Sequence, residues 1–241
     1  MVGKRRAFRL RHASVCMVAV LTLAGCAGKP EIPYDHSAET GVKTIGLVTP
    51  YSRGPTIVLA TTVGQSFGLI GALIDAGMTE HRNTAFTGLM ESQNFQANDY
   101  FVSCLTADLK AEGYNVIVIP AARPDDNFLA SYPGSDQKID AYLDARMQFG
   151  YIAAGLGHSN PYRPAFWTRA RLVDGQSSAV LMEDTVMYNP LGAPKNIVTI
   201  APDPSEQFVD FDTMMANPPA AIAGLKTAEA KSAEALANLL R

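Results

Sequence analysis

Apolar and polar positions divide the chain into three stretches. An apolar run from Ala13 to Leu23 follows a basic head of Lys4, Arg5, Arg6, Arg9 and Arg11. Residues 27–42 then lose any apolar period. Lys29-Pro30-Glu31-Ile32-Pro33 is polar and broken by proline, and 37–41 has no apolar periodicity, which is the composition of a flexible tether. From residue 43 onward the pattern is that of a folded domain. Residues 44–49 read as a strand stopped by Pro50, 52–55 as a loop, and 56–63, rich in β-branched residues, as a second strand. The spacing of Phe67, Leu69, Ile70, Leu73 and Ile74 predicts a helix, and 85–95 a further short one. Asn98 or Asp99 caps the next, with Phe101, Cys104, Leu105 and Leu109 on one face and Gly113 as its stop. Residues 114–119 are mostly apolar without alternation, the pattern of a strand buried on both faces.

After a loop at 124–134, Ser135 caps a predicted helix to Met147 with Ile139, Tyr142 and Leu143 inward. A buried strand follows at 149–154, then a loop at 156–164. Two strand-like runs, 165–173 and 179–188, flank Asp174-Gly175-Gln176-Ser177-Ser178 and predict an antiparallel hairpin. Phe166, Thr168, Ala170 and Leu172 share one face of it, and Trp167, Arg169, Arg171 and Val173 the other, half-wet face. Residues 197–200 add a short edge strand, and Phe208 and Phe211 serve as packing anchors. Asn217 then Pro218 start a last helix that runs to about Leu240 and packs through Ile222, Leu225, Leu236 and Leu239. The fold class expected is α/β (α+β): one domain, with a mixed sheet, a C-terminal antiparallel hairpin and helices packed over it.

The apolar run ends in Leu23-Ala24-Gly25-Cys26. It is about half of the ~20 residues needed to span a bilayer, so it reads as a secretory signal and not as a membrane helix. Leu-Ala-Gly-Cys resembles the lipobox of bacterial lipoproteins. That resemblance implies cleavage before Cys26 and lipidation of its thiol. The layout expected is a signal peptide over 1–25, a lipidated cysteine and tether over 26–42, and a periplasmic domain over 43–241. Lys4-Arg5-Arg6-Ala7-Phe8 also partly resembles a twin-arginine signal, but Arg9 stands where that pattern prefers an apolar residue, and export of the unfolded chain is expected. Ala27, Gly28 and Lys29 follow the cysteine with no aspartate, which is similar to outer-membrane sorting in enteric lipoproteins.

Charge narrows the partners. Residues 1–25 hold five basic residues and no acid, so the remainder carries 15 Lys+Arg against 23 Asp+Glu, a net charge near −8. Such a domain is a poor ligand for nucleic acid or an anionic bilayer, so a lipid must hold it at the membrane. With Cys26 lipidated, Cys104 is the one thiol left in 27–241. It has no intrachain disulfide partner and is expected to be buried.

Candidate chemistry is sparse. Gly64-Gln65-Ser66-Phe67-Gly68 matches a nucleophile elbow between a predicted strand and a predicted helix. Ser66 then needs a base, and His158 is the histidine best placed. Yet His158 precedes the hairpin instead of lying in the closing segment, and no His-Gly pair offers an oxyanion loop. The plainer reading is a close-packed strand-to-helix turn. Residues 56–74 carry no charge, and Gly64, Gly68 and Gly71 give a small-residue spacing that membrane helices use, so insertion within an oligomer is a further reading. Asp203, Glu206, Asp210 and Asp212 lack the glycine and spacing of a calcium loop, and Gly155-Leu156-Gly157 is too short for a dinucleotide fingerprint. No metal and no cofactor are expected. Tyr162 and Arg163 in the 157–164 loop, with Trp167, Arg169 and Arg171 on the adjoining strand face, form the candidate partner-binding surface, since aromatic and arginine side chains dominate interfaces.

Over roughly 43–240 the layout is similar to small outer-membrane lipoproteins of the curli-secretion and penicillin-binding-protein-activator type. That resemblance implies a non-enzymatic domain working through an envelope protein partner or as a homo-oligomer. Three functions stay open: an anchored assembly or adaptor factor, a serine hydrolase using Ser66, and an oligomeric membrane-inserting secretion component.

Overall fold

The computed structural model describes residues 31–37, 41–60, 76–123, 125–154, 161–192 and 195–241. Residues Glu31–Arg241 form one unit. Its framework is a mixed seven-stranded sheet: β1 (Thr44–Val48), β2 (Tyr51–Ala60), β3 (Asn115–Ile119), β4 (Ala141–Ala154), β5 (Tyr162–Asp174), β6 (Val180–Tyr188) and β7 (Val198–Ile200). The order is β3-β1-β4-β5-β6-β7, with β2 also paired to β4. The pairs β1/β3, β1/β4, β2/β4 and β6/β7 are parallel, while β4/β5 and β5/β6 are antiparallel.

β4 organises the sheet. Its first half pairs with β1 and its second half with β2, so β1 and β2 act as one interrupted strand. Ile45 faces Ala141, Tyr51 faces Arg146 and Pro55 faces Phe149. Each step absorbs an extra residue, one at Thr49–Pro50 and one at Arg53–Gly54. Gly54 takes φ +84°, as a bulge of this kind requires, so the expected loop at 52–55 is part of a bulged strand instead. Farther along, an added Cβ on Gly150 would lie 1.7 Å from the Thr56 carbonyl oxygen, so only glycine lets these two strands approach.

The expected helix at 135–147 does not form: residues 141–147 are the first half of β4, and 135–140 are irregular. Ala141, Leu143, Ala145, Arg146 and Met147 favour helix individually, but the side chains alternate between the two faces of the sheet. Ala141, Leu143, Ala145, Met147, Phe149 and Tyr151 enter the core, and Tyr142, Asp144, Arg146 and Gln148 point the other way. Strand pairing on both sides decides the matter. β3 also differs from expectation. It stands at the edge of the sheet with Val118 45 % exposed, where a doubly buried strand was expected.

Helices α1 (Ala76–Ser92), α2 (Ala97–Ala111) and α4 (Pro218–Asn238) cover one face of the sheet, and α3 (Phe211–Met215) leads into α4. Phe86 of α1 meets Tyr151 at 5.7 Å, Phe101 of α2 meets Phe166 at 5.1 Å, and the Tyr151 hydroxyl donates to the Ala221 carbonyl of α4 at 2.8 Å. The Asn217 side chain caps α4 as expected. α2 begins a residue before its expected caps, and Asn98 donates to the Pro50 carbonyl at 3.3 Å. α1 starts well before the expected residue 85, and the helix predicted from Phe67 lies outside the described residues.

Part of the expected tether is docked. Ile32 forms an antiparallel bridge to Glu183, with backbone hydrogen bonds of 2.7 and 2.9 Å, and Tyr34 packs on the core. Together with β7, this segment covers the outer edge of β6, removing it as a site for stray strand pairing.

Candidate functional site

The sheet face turned away from the helices holds the residues that sequence reasoning singled out. Register sets their order. Across β4, β5 and β6, Asp144 stands opposite Arg171 and Arg171 opposite Glu183. One step along, Arg146 stands opposite Arg169 and Arg169 opposite Thr185. The next row is Gln148, Trp167 and Met187. Opposite charges thus face one another across the first row, which stabilises strand pairing, whereas Arg146 and Arg169 oppose each other.

Glu183, 1 % exposed, resolves that repulsion. Arg169 donates to its Oε1 through Nε at 3.1 Å and Arg171 to its Oε2 through Nε at 2.9 Å, with the two Nη2 atoms in ion-pair contact at 2.9 and 2.8 Å. One carboxylate is clamped by two guanidinium forks. Asp144, wholly buried, is bound by Arg123, by the Leu129 backbone N–H at 2.8 Å and by the Tyr132 hydroxyl at 3.3 Å. Arg123 also donates to the Thr49 carbonyl at 2.8 Å.

These partners come from the connection between β3 and β4, which crosses this face as a strap. Phe128 of the strap lies under two guanidinium groups, Arg171 at 4.2 Å and Arg146 at 4.8 Å from its ring centre. Arg146 also lies 5.7 Å from the Trp167 ring and donates to the Asp126 carbonyl at 2.6 Å. Tyr132 stacks on Tyr142 at 4.9 Å. Burial and the neighbouring Arg169 hold the Arg146 guanidinium below its usual value, and burial pushes the Tyr132 phenol up.

This geometry narrows the expected partner surface. Arg169 and Arg171 are committed to Glu183, and Tyr162 is 4 % exposed with its hydroxyl accepting from Arg82 Nη1 at 2.8 Å. Tyr162 already belongs to β5, which places it in the core and not on a loop tip. Arg163 is exposed, its Nε 3.3 Å from Gln207 Oε1. Trp167 is half-buried beside a shallow recess lined by Thr56, Gln148, Gly150, Ile152 and Ala165. Of the set, Arg163 is exposed, while Trp167, Arg169 and Arg171 are half-buried, and Trp167 is the one of these three not bound to Glu183. Cys26, Ser66 and His158 lie outside the described residues, as do residues 61–74.

The acidic stretch near residue 205 has a structural explanation. Asp203 caps the short 3-10 turn Pro204–Glu206 by accepting from the Ser205 N–H at 2.9 Å, and Asp210 caps α3 by accepting from Thr213 N–H at 2.7 Å. These hydrogen bonds hold both carboxyls below the usual carboxylate range. Among the described residues no three His, Cys, Asp or Glu side chains come together as metal ligands, and no helix is long and apolar enough to cross a membrane.

No family model matches the sequence, and no curated protein matches it. Solved structures with a related chain path include a Xanthomonas campestris protein of the DUF330 family. It is 14% identical with TM-score 0.43, covering 88% of this chain and 89% of that one. The PelC dodecamer of Paraburkholderia phytofirmans is 11% identical, with TM-score 0.34 and 83% and 86% covered. A candidate lipoprotein from Caulobacter crescentus is 12% identical, with TM-score 0.26 and 60% and 77% covered. At such values the likeness carries no argument about what this chain does.

Proposed function

We propose that the chain is a lipid-anchored, non-enzymatic factor of the bacterial cell envelope, held at the outer membrane through Cys26 and acting on an envelope protein partner. The observation that carries this reading is Leu23-Ala24-Gly25-Cys26 at the end of a short apolar run behind a basic head. Two features support it. Asp144 and Glu183 on the outer sheet face are each bound by arginine side chains, a structural use of those carboxylates. Arg163 and Trp167 lie beyond that network, where a partner can reach them.

The test is palmitate labelling and crosslinking in intact cells, comparing the native chain with Cys26→Ser. The expected outcome is a label that Cys26→Ser abolishes, together with one envelope partner whose capture depends on the anchor. An unlabelled native chain released with the soluble periplasm would overturn the reading. Self-crosslinks alone would favour the oligomeric, membrane-inserting alternative. Labelling by a serine-reactive probe that Ser66→Ala removes would favour the hydrolase.

A further inference from the structure

The helix layer contains a carboxylate of a different kind. Glu229, in the middle of α4, is wholly buried, and neither of its oxygens has a hydrogen-bond partner among the described residues. Ser232, one turn on, is equally buried, and its hydroxyl likewise lacks a partner there. Both lie where α4 packs on α2. From α2 the titratable groups near Glu229 are Tyr100 and Cys104, whose side chains hydrogen-bond each other. Asp108, farther along α2, faces Glu234 instead. On α4 itself the nearby charge is Lys226. Its ammonium lies 5.4 Å and 5.8 Å from the ring centres of Tyr100 and Phe95, and no ion pair joins it to Glu229 among the described residues. The other described elements that α4 touches, β5, β6, β7, α3 and the 3-10 turn, bring no charge to bear on Glu229.

We infer that protonated Glu229 locks the α2–α4 contact and that losing this proton loosens it, giving the domain a pH-gated helix. An ionised carboxylate in this position is withdrawn from bulk solvent and meets no hydrogen-bond donor among the described residues, whereas the neutral acid fits at far lower cost. The packing therefore selects the proton-bound form. Burial accordingly pushes the Glu229 carboxyl from 4.5 up to about 9. The contact is then at full strength below 4.5, weakens progressively as pH rises, and has lost this contribution above about 9. The inference does not depend on the lipid anchor or on a partner.

The experiment is urea unfolding of the full chain from pH 4 to 10, native against Glu229→Gln, with hydrogen exchange to localise the change. The amide keeps the shape of the neutral acid and cannot ionise. The ratio of native to variant unfolding constants should rise by up to about tenfold per pH unit inside the window, with protection falling first over α4. A ratio independent of pH, or a Glu229 carboxyl carbon that titrates near its ordinary value by NMR, would overturn the proposal. Should Glu229→Gln not fold, Glu229→Leu serves the same comparison. Lys226→Met removes the one charge that favours the ionised form of Glu229, so the fall in stability should extend to higher pH. A fall that moves to lower pH in that variant would reject the proton lock.

Discussion

Two layers of the molecule bury carboxylates in opposite ways. On the outer sheet face, Asp144 and Glu183 are enclosed by guanidinium groups, a backbone N–H and a phenol. Between α2 and α4, Glu229 is buried as deeply and has no such donor among the described residues. Burial alone therefore does not decide what an acid does. The clamped pair joins neighbouring strands and the strap through arginine side chains. The unclamped one holds its proton and makes the helix contact sensitive to pH. A buried ion pair adds little net stability, but breaking one leaves a stranded charge, so the two layers should respond to mutation with opposite signs.

The largest effect should come from Asp144→Ala, which strands Arg123 and releases the strap. The expected loss is about 3–5 kcal/mol by urea denaturation, and a loss near zero would mean that the network is ornamental. Next, Arg169→Met and Arg171→Met should each cost about 1–3 kcal/mol. The double variant should cost more than the two singles combined, because Glu183 keeps one guanidinium in either single but neither in the double. Simple additivity in a double-mutant cycle would break the clamp description. Glu229→Met should go the other way and stabilise by about 1–3 kcal/mol at pH 8, with less gain at pH 4.5, where the acid is neutral in the folded chain and only about half ionised in the unfolded one. Arg163→Ala with Trp167→Ala should cost under about 2 kcal/mol while lowering partner crosslinking. Smallest of all, Glu112→Gln should leave the unfolding midpoint unchanged, although the exposed Arg241 holds that surface carboxyl below its usual range. Solvent and salt screen such a pair.

The hairpin, α2, the C-terminal helix and the short edge strand were legible because local signals and tertiary environment agree there. The first half of β4 was not legible. Its helix-favouring composition outweighs a period-two pattern in which Asp144 and Arg146 look like solvent-facing charges, and only the strap explains why charged residues sit on a covered face. The arginine face itself could be read from alternation along β5, but its content could not. Glu183 meets Arg171 through a register that a bulge at Leu181 shifts, and no turn rule announces that bulge. Glu229 left a usable trace. It falls on the apolar stripe of α4 together with Ile222, Leu225, Ser232 and Leu236, a place where a solvated glutamate does not belong.

The bridge between Ile32 and Glu183 has a consequence for search and encounter. With a lipid on Cys26, only the stretch from Cys26 to Glu31 separates membrane from folded domain, a leash of about 17 Å at full extension. Anchored as proposed, a domain so short-leashed would diffuse with the bilayer in two dimensions. It would sample a shell scarcely thicker than itself, which would raise its effective concentration toward anything at the same membrane and deny it anything across the compartment.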